Sequence, residues 1–392
     1  MSSLTLNYPL QSLRAGRWFK LICGASFQHL PAVRNLTLAY ALAGADCIDV
    51  AADPAVIASA REALEVARQL SSQARSRGFG GAFPWLMVSL NDGEDPHFRK
   101  AEFDPAACPP DCPRPCEAVC PADAIAFDRA GDGFSGVIDR RCYGCGRCLP
   151  VCPISHISTR SYVSSPGAIA SEIFESDIDA IEIHTRVGRL DDFCRLWQAI
   201  APYADRLKLL AVSCPDDPAL IDYLNAIYEA IAPLPCPLIW QTDGRPMSGD
   251  IGRGTTHSTL KLGQKVLAAG LPGYVQLAGG TNDHTVAKLK RDRLLAPAAD
   301  RPFDQNAQIE IMKHRDAIDK RQPLISSDAT FPYIAGIAYG SYARTLLSPI
   351  LDRLDRGDRP TATPRLEEDM PLLWSAVSLA HALVAQLKPN GG

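Results

Sequence analysis

The chain has no long apolar segment and little excess charge of either sign. None of its 392 residues fall in an apolar run approaching the ~20 residues that span a bilayer. The formal net charge is −4, from 40 basic and 44 acidic residues, which argues against a general nucleic-acid binder. The N-terminal residues lack the charged start and apolar core of a signal peptide. We therefore expect a cytoplasmic protein without a transmembrane segment, and leave peripheral contact with a membrane complex open.

Several common catalytic motifs are also missing. The sequence contains no nucleophile elbow, no P-loop and no complete G-x-G-x-x-G. Three glycines at positions 249, 252 and 254 follow a predicted strand, but their spacing does not match the dinucleotide fingerprint. Hydrophobic residues make up 46% and charged residues 21%, as in ordinary globular proteins. The length allows one large domain with a second, small one.

Cysteine, in contrast, is abundant and clustered. Eight of the 13 cysteines lie between Cys108 and Cys152, in two groups of four that each end in Cys-Pro. The second group has the C-x2-C-x2-C-x3-C-P spacing of bacterial ferredoxins, in which the fourth cysteine binds the other cluster. The first group is looser, with three residues between successive cysteines. We predict two [4Fe–4S] clusters, one bound by Cys108, Cys112, Cys116 and Cys152, the other by Cys120, Cys142, Cys145 and Cys148.

Other uses of these cysteines are possible on spacing alone. Zinc sites usually pair two C-x2-C elements and need neither the third cysteine nor the proline. Disulfides fit less well because no secretory signal is present. The stretched first group leaves a [3Fe–4S] cluster, or a different fourth ligand, as alternatives. The five scattered cysteines lie in apolar settings and are interpreted as small buried hydrophobic residues: Cys23, Cys47, Cys194, Cys214 and Cys236.

Short strands are expected to follow each Cys-Pro, as in two-cluster ferredoxins. Residues 124–127 and 136–138 suit the first hairpin, and residues 154–157 are the matching stretch after the second group. The cysteine segment is therefore predicted to be an internal repeat.

Outside this segment the sequence alternates between strands and helices. Eight short apolar runs read as strands buried on both faces, the pattern of a parallel sheet. Eight such units favour a closed (β/α)8 TIM-type barrel over an open doubly wound sheet. The predicted strands are residues 19–23, 46–51, 84–90, 178–184, 207–213, 237–241, 273–278 and 332–338.

The predicted domain organisation is a barrel interrupted by a ferredoxin-like insert. Residues 1–91 and 161–356 would form the two parts of the barrel, with the two-cluster insert at 92–160. Residues 357–392 would form a linker and a C-terminal helix. The polar segment 291–330 has no obvious barrel element and is expected to carry extra helices, one of them at 305–319.

Several predicted strands end in polar residues, where barrels place their active sites. Glu182 and His184 alternate onto one side of a strand. Together with Asp243 and Arg245 they could form an acid–base or substrate-binding set. The alternative is an internal polar network that closes the barrel mouth.

A second candidate site follows the last two strands, where barrels often bind phosphate. Gly279 and Gly280 follow the seventh strand, and Gly340 and Ser341 the eighth. Their small side chains would let backbone N–H groups approach the phosphate of flavin mononucleotide (FMN), a sensible partner for iron–sulfur clusters. Turn geometry alone would also explain these glycines.

Four segments resemble the light-dependent period (LdpA) family of cyanobacteria and related phototrophs, and the likeness spans nearly the whole chain. These segments are residues 16–26, 42–54, 111–116 and 336–344. The resemblance implies an iron–sulfur protein that passes cellular redox state, and hence light, to the circadian clock. It also implies association with clock-input proteins and an electron donor such as a ferredoxin or the quinone pool. It carries over the eight cluster cysteines but no catalytic residues.

Two functions therefore remain open at this stage. The first is a redox sensor or adaptor whose clusters change a surface that partners bind. The second is a ferredoxin-linked oxidoreductase that uses a flavin or a small substrate at the barrel mouth. A structural subunit with stabilising clusters is a third possibility.

Overall fold

Parallel strands β1–β3 and β8–β12 close into a barrel, and four short strands lie between β3 and β8. In chain order the strands are β1 (Trp18–Gly24), β2 (Cys47–Ala51), β3 (Trp85–Asn91), β4 (Arg99–Glu102), β5 (Ile125–Ala126), β6 (Gly136–Val137), β7 (Ser158–Ser161), β8 (Ala180–His184), β9 (Leu209–Pro215), β10 (Leu238–Asp243), β11 (Gly273–Ala278) and β12 (Thr330–Tyr339). Around the barrel their order is β1-β12-β11-β10-β9-β8-β3-β2, so β1 and β12 form the closing seam.

Helices follow most of the barrel strands. They are α1 (Tyr8–Arg14), α2 (Leu30–Ala43), α3 (Pro54–Ser76), α4 (Pro115–Ala118), α5 (Cys148–Val151), α6 (Leu190–Ile200), α7 (Leu220–Ile231), α8 (Thr256–Ala268), α9 (Thr285–Arg291), α10 (Ser341–Asp355) and α11 (Met370–Val384). Short 3-10 turns span Pro105–Ala107, Ala201–Arg206 and Leu366–Glu368.

The computed structural model describes most, but not all, of the chain. The described residues are 8–24, 30–80, 83–93, 99–120, 123–129, 132–139, 141–142, 147–161, 173–244, 254–296, 330–355 and 364–388. The helix predicted at 305–319 lies outside them, as does most of the segment between α9 and β12. In the described part of the chain, no helix combines the length and the apolar character needed to cross a membrane.

The closed barrel confirms the predicted architecture over the open sheet. Each of the eight predicted strands overlaps an observed one, because burial on both faces selects continuous runs of apolar, β-branched residues. The start of α3 also follows from the local sequence, because Asp53 followed by Pro54 favours an N-cap and a first helical turn. Asp53 caps it by accepting hydrogen bonds from the backbone N–H groups of Ala55 (2.8 Å) and Val56 (3.3 Å), and Pro54 occupies the first turn.

Large side chains fill the amino-terminal end of the barrel interior. Trp18 and Trp85 meet edge to face with ring centroids 5.8 Å apart. Met87 packs beside them, and Leu13 of α1 belongs to the same cluster, which is separate from the main core between barrel and helices. This end of the barrel is therefore a packed floor.

The segment between β3 and β8 folds into two small antiparallel sheets. Strands β5 and β6 form the hairpin predicted after the first Cys-Pro. The prediction for residues 154–157 was wrong, because the strand after the second Cys-Pro is β7, which pairs with β4. Ser155 has a positive φ of 50°, which interrupts an extended strand. The backbone N–H of His156 points instead at the sulfur of Cys152, 3.3 Å away.

The seam between β1 and β12 gives a direct test of barrel closure. A Cβ atom at Gly336 would lie 2.4 Å from the Trp18 carbonyl oxygen and 2.5 Å from the Trp18 Cβ. We expect Gly336→Ala to lower the free energy of unfolding by about 1–3 kcal/mol, because the backbones at the seam must move apart. Urea unfolding followed by circular dichroism measures this change.

Gly254→Ala is the matched control, since a Cβ there would meet no atom of the described residues within 4 Å. Its unfolding free energy should stay within about 0.5 kcal/mol of wild type. Equal stability of the two variants would contradict the tight β1–β12 seam.

Candidate functional site

The two short helices of the insert carry cysteines from both groups. Cys116 lies in α4 and Cys148 begins α5, and the two helices pack against each other. Apolar side chains surround the sulfur atoms, and this small core is separate from that of the barrel. Its members are Ala101, Cys116, Ala124, Ile125, Cys142, Cys148 and Ile157, with Phe103, Cys120, Phe127, Val137, Leu149, Val151 and Cys152 packed against it.

Cysteines from both sequence groups lie close enough to affect one another's pKa. Burial raises the pKa of Cys108, and the charges of Cys112 and Cys152 raise it further. Burial also raises the pKa of Cys116, and the charges of Cys152 and Cys108 raise it as well. Cys152 belongs to the second group by sequence, so the fold brings it across to the first. All four are the residues assigned above to one cluster.

Backbone N–H groups point at the cysteine sulfurs in a repeated way. The Ala124 N–H donates to the sulfur of Cys120 at 3.2 Å, four residues back in the chain. The His156 N–H donates to the sulfur of Cys152 at 3.3 Å, with the same spacing. Burial opposes ionisation of Cys152, but the N–H groups that follow it overcome this and lower its pKa.

Two of the remaining cysteines, Cys142 and Cys148, are buried in this core. Cys142 accepts a hydrogen bond from the backbone N–H of Ala101, with N and Sγ 3.4 Å apart. Cys142 and Cys148 are buried, whereas Cys108 and Cys112 are partly exposed. Cys145 lies outside the described residues. Among the described residues, no three histidine, cysteine or acidic side chains converge closely enough to hold a single metal ion.

A network of charged side chains occupies the middle of the barrel. Lys20 of β1 is fully buried and forms ion pairs with Glu182 and with Asp49, the latter at 3.2 Å between Nζ and Oδ2. The hydroxyl of Ser89 donates to the other oxygen of Asp49 at 2.5 Å. Glu182 also lies 3.1 Å from Nε2 of His184, so the predicted alternation onto one side is confirmed.

The protonation states of these groups follow from the network. Burial disfavours a charged Lys20, but Asp49 and Glu182 outweigh it and raise the Lys20 pKa. Burial would raise the pKa of Glu182, yet Lys20 and His184 lower it to about 2. Burial raises the pKa of Asp49 to about 6 against the pull of Lys20. Burial opposes protonation of His184, but Glu182 raises its pKa to about 9.

A chain of side-chain amides connects the barrel floor to Glu182. The Trp18 indole N–H donates to Oε1 of Gln276 at 2.7 Å, and the Gln276 amide donates to Gln241 at 2.5 Å. The Gln241 amide then donates to Glu182 at 2.7 Å. In each bond of this chain the donor lies on the Trp18 side and the acceptor on the Glu182 side. Glu182 is the last acceptor, and the hydrogen bond from Gln241 helps to keep its carboxylate ionised.

The candidate catalytic set is only partly assembled. Glu182 and His184 are in contact, and Asp243 accepts a hydrogen bond from the Ser213 hydroxyl nearby. Burial raises the Asp243 pKa, while the charge of His184 opposes the rise. Arg245 lies outside the described residues. We did not predict Lys20 and Asp49 as members of this set, although charged residues within otherwise apolar strands are a signal for buried ion pairs.

The glycines proposed for phosphate binding have local structural roles. Gly279 and Gly280 adopt positive φ angles of 62° and 94°. Their carbonyl oxygens accept hydrogen bonds from Thr259 at 2.5 Å and Thr255 at 2.9 Å. At the neighbouring strand end, Nη2 of Arg344 donates to Oγ of Ser341 at 3.0 Å. Gly340 lies close by, where a Cβ would be 3.5 Å from Arg344. Turn geometry accounts for these positions, and a phosphate or FMN site stays a prediction.

The scattered cysteines behave mostly as small buried side chains. Cys23, Cys47, Cys214 and Cys236 are buried as expected, and Cys194 is half-buried. Burial raises the pKa of Cys23, Cys214 and Cys236 to about 12, which leaves these thiols protonated.

Fold and cysteine pattern define the class of protein: a β/α barrel with a cysteine-rich iron–sulfur segment. The family model for the LdpA Fe-S cluster-binding domain matches residues 108–163, and the model for the light dependent period A C-terminal domain matches residues 172–386. The protein "Light dependent period A" of Synechococcus elongatus is 47% identical over 389 residues, covering 99% of this chain and 96% of the relative. The chain belongs to the light-dependent period A family, which confirms the resemblance.

The pKa of His184 provides a test of the barrel network. We expect Glu182→Gln to move this pKa from about 9 toward the ordinary 6.5, because the carboxylate that stabilises the imidazolium is gone. Titration of the His184 ring signals by NMR in histidine-labelled protein measures the shift.

The same change has a signature in stability. Because the folded pKa lies above the unfolded one, His184 stabilises the fold fully below pH 6.5 and loses this contribution as pH rises through about 9. The Glu182→Gln variant should lose this dependence, whereas His257→Gln, at an exposed histidine, should keep it. An unchanged His184 pKa in the Glu182→Gln protein would contradict the network.

Proposed function

We propose that residues 92–160 form a ferredoxin-like insert that binds two [4Fe–4S] clusters. One cluster is assigned to Cys108, Cys112, Cys116 and Cys152. The observation that carries this assignment is that Cys152, from the second sequence group, lies close enough to Cys108 and Cys116 for its charge to raise the pKa of both thiols. Such an exchange of the fourth cysteine is the hallmark of two-cluster ferredoxins.

The second cluster is assigned to Cys120, Cys142, Cys145 and Cys148. Three of these cysteines share the apolar core of the insert, which supports a common site. The related N–H···S bonds to Cys120 and Cys152 support a pseudo-symmetric pair of clusters. A bound cluster would supply one-electron redox chemistry. The chain's own contribution would be N–H donors that stabilise negative charge on sulfur and apolar side chains that limit access of water.

Cluster content provides the direct test of these assignments. The wild-type protein, purified without oxygen, should contain about eight iron atoms and eight sulfides per chain. We expect Cys142→Ser to lose about half of the iron and one of two electron paramagnetic resonance (EPR) signals, because one thiolate ligand is missing. Cys108→Ser should lose the other signal.

Cys194→Ser is the control, since this half-buried cysteine lies in α6 of the barrel. It should retain all the iron. Zinc in place of iron, or one variant abolishing both signals, would overturn the assignment.

We further propose that the protein is a redox adaptor that passes cellular redox state to the circadian clock input. The name of the 47% identical Synechococcus relative ties that protein to a light-dependent period, and the match over 99% of this chain supports a shared role. The proposed partners are clock-input proteins, and the proposed electron donor is a ferredoxin or the quinone pool. In this scheme reduction would change the charge of the clusters, and the affinity of the partners for this protein would change with it.

An oxidoreductase acting at the barrel mouth is the second candidate. One specific observation favours it: in the described barrel, the charged or titratable side chains of Lys20, Asp49, Glu182, His184 and Asp243 gather above the apolar floor, and a quarter of the His184 side chain is exposed. An imidazolium held by Glu182, next to Asp243, could donate a proton to a reduced substrate. FMN near residues 279–280 and 340–341 would be the proposed electron carrier to it.

Measurements on reduced and oxidised protein separate the two functions. As an adaptor, the protein should bind clock-input proteins with affinities that differ by about tenfold between dithionite-reduced and air-oxidised states, and the difference should disappear in Cys142→Ser. Biolayer interferometry under argon measures these affinities.

Equal affinities in both states would count against the adaptor. The enzyme would instead show bound flavin and substrate-dependent reoxidation of the clusters, lost in Asp243→Asn. That result would favour the second candidate.

A further inference from the structure

A buried lysine joins the cysteine-rich segment to the barrel. Lys100 of β4 is 3% exposed. Its Nζ lies 2.5 Å from the backbone carbonyl oxygen of Asp139 and 3.7 Å from Oδ2 of Asp53. Asp139 precedes the second cysteine group, whereas Asp53 follows β2 at the carboxyl end of the barrel. One ammonium group therefore contacts both parts of the fold.

The same strand contacts the Cys142 thiol. Ala101, the next residue after Lys100, donates its backbone N–H to the sulfur of Cys142 at 3.4 Å. The Asp139 carbonyl that accepts from Lys100 belongs to the loop leading into Cys142, whose own N–H donates to the Ile138 carbonyl at 3.1 Å. Lys100 is therefore connected to Cys142 in two ways. One is through Ala101, its neighbour in β4, and the other is through the carbonyl of Asp139.

On the barrel side, Lys100 meets a helix cap. Asp53 is 4% exposed and accepts hydrogen bonds from the N–H groups of Ala55 and Val56 at the start of α3. This carboxylate is held by the helix and is not free to follow the lysine. The 3.7 Å separation is longer than the ~2.8 Å of a charge-assisted hydrogen bond, so Lys100 and Asp53 form an ion pair beyond hydrogen-bond distance.

We propose that Lys100 is a positioning residue that couples the charge of the Cys142-bound cluster to the start of α3 in the barrel. The inference rests on the proposed function and specifies how cluster state would act on the barrel. In a buried setting the ammonium stabilises added negative charge on the cluster, since charge interactions are screened less there than in water. The cluster bound by Cys108 and Cys112 is more exposed and should be affected less.

The redox step is a simple transfer of charge. Reduction of the cluster by a one-electron donor would add one negative charge, with no bond formed or broken and no proton taken up. Lys100, drawn toward the Cys142 loop, would then pair less strongly with Asp53. Reduction should then loosen the capped first turn of α3.

Reduction potentials test the electrostatic part of the proposal. We expect Lys100→Met to make reduction of the Cys142-bound cluster about tenfold less favourable, a decrease of about 59 mV for a one-electron couple. Lys100→Arg keeps the positive charge and should stay close to wild type. EPR-monitored redox titration follows each cluster separately, with Cys108→Ser and Cys142→Ser identifying the signals.

A substitution expected to raise the reduction potential, rather than lower it, distinguishes an effect of charge from a loss of structure. Asp53→Asn removes the competing carboxylate but keeps a good helix cap, so the potential of the same cluster should rise. Hydrogen exchange of residues 54–60 should differ between reduced and oxidised wild-type protein, and this difference should vanish in Lys100→Met. If the Lys100→Met protein fails to fold, the potential of Asp53→Asn and the hydrogen exchange of the wild-type protein still test the proposal.

Two outcomes would overturn the inference. In one, both variants shift the potential in the same direction or not at all; in the other, hydrogen exchange near α3 is the same in both redox states. Either result with a full complement of iron rejects the role of Lys100 while leaving the clusters in place. Absence of iron and sulfide would instead reject the proposed function itself.

Discussion

The ammonium group of Lys20 balances the carboxylates that the surrounding strands turn into the barrel. Without it, Asp49 and Glu182 would be buried like charges, which proteins rarely tolerate. With it, Glu182 remains ionised and in turn keeps His184 protonated. The protonation of His184, near the barrel mouth, therefore depends on Lys20 and Glu182 in the middle of the barrel, which are shielded from solvent. The packed floor of tryptophans beneath favours this arrangement, because it excludes water from one side.

The sequence allowed prediction of the elements whose signal is local. Continuous apolar runs predicted the barrel strands, and Asp53 followed by Pro54 predicted the start of α3, because burial and capping act over a few residues. The site required contacts across the chain. Lys20 and Glu182 are 162 residues apart, so neither strand alone indicates their pairing. Residues 154–157 were wrongly assigned to a strand. The positive φ of Ser155 accompanies the turn in which the His156 N–H points at the sulfur of Cys152, and strand propensity does not indicate such a turn.

The insert and the barrel differ in how they are stabilised. The barrel has a large apolar core and closes through eight strands. The insert has two two-stranded sheets and one-turn helices around a small core in which cysteines are prominent. Such small units usually need cross-links or metal to be stable, and thiolates bound to iron would serve that purpose. In the proposed function, a change in the clusters would alter this segment before it altered the barrel.

The packed floor closes the amino-terminal end of the barrel. Trp18, Trp85 and Leu13 fill this base, and the polar network around Lys20 lies above them, toward the rim where the strands end. The cysteine-rich segment leaves β3 at that rim and touches it again at Asp53. Any molecule bound at this rim would lie beside the segment proposed to hold the clusters. Evolution could therefore adjust access and redox chemistry together by reshaping a single edge.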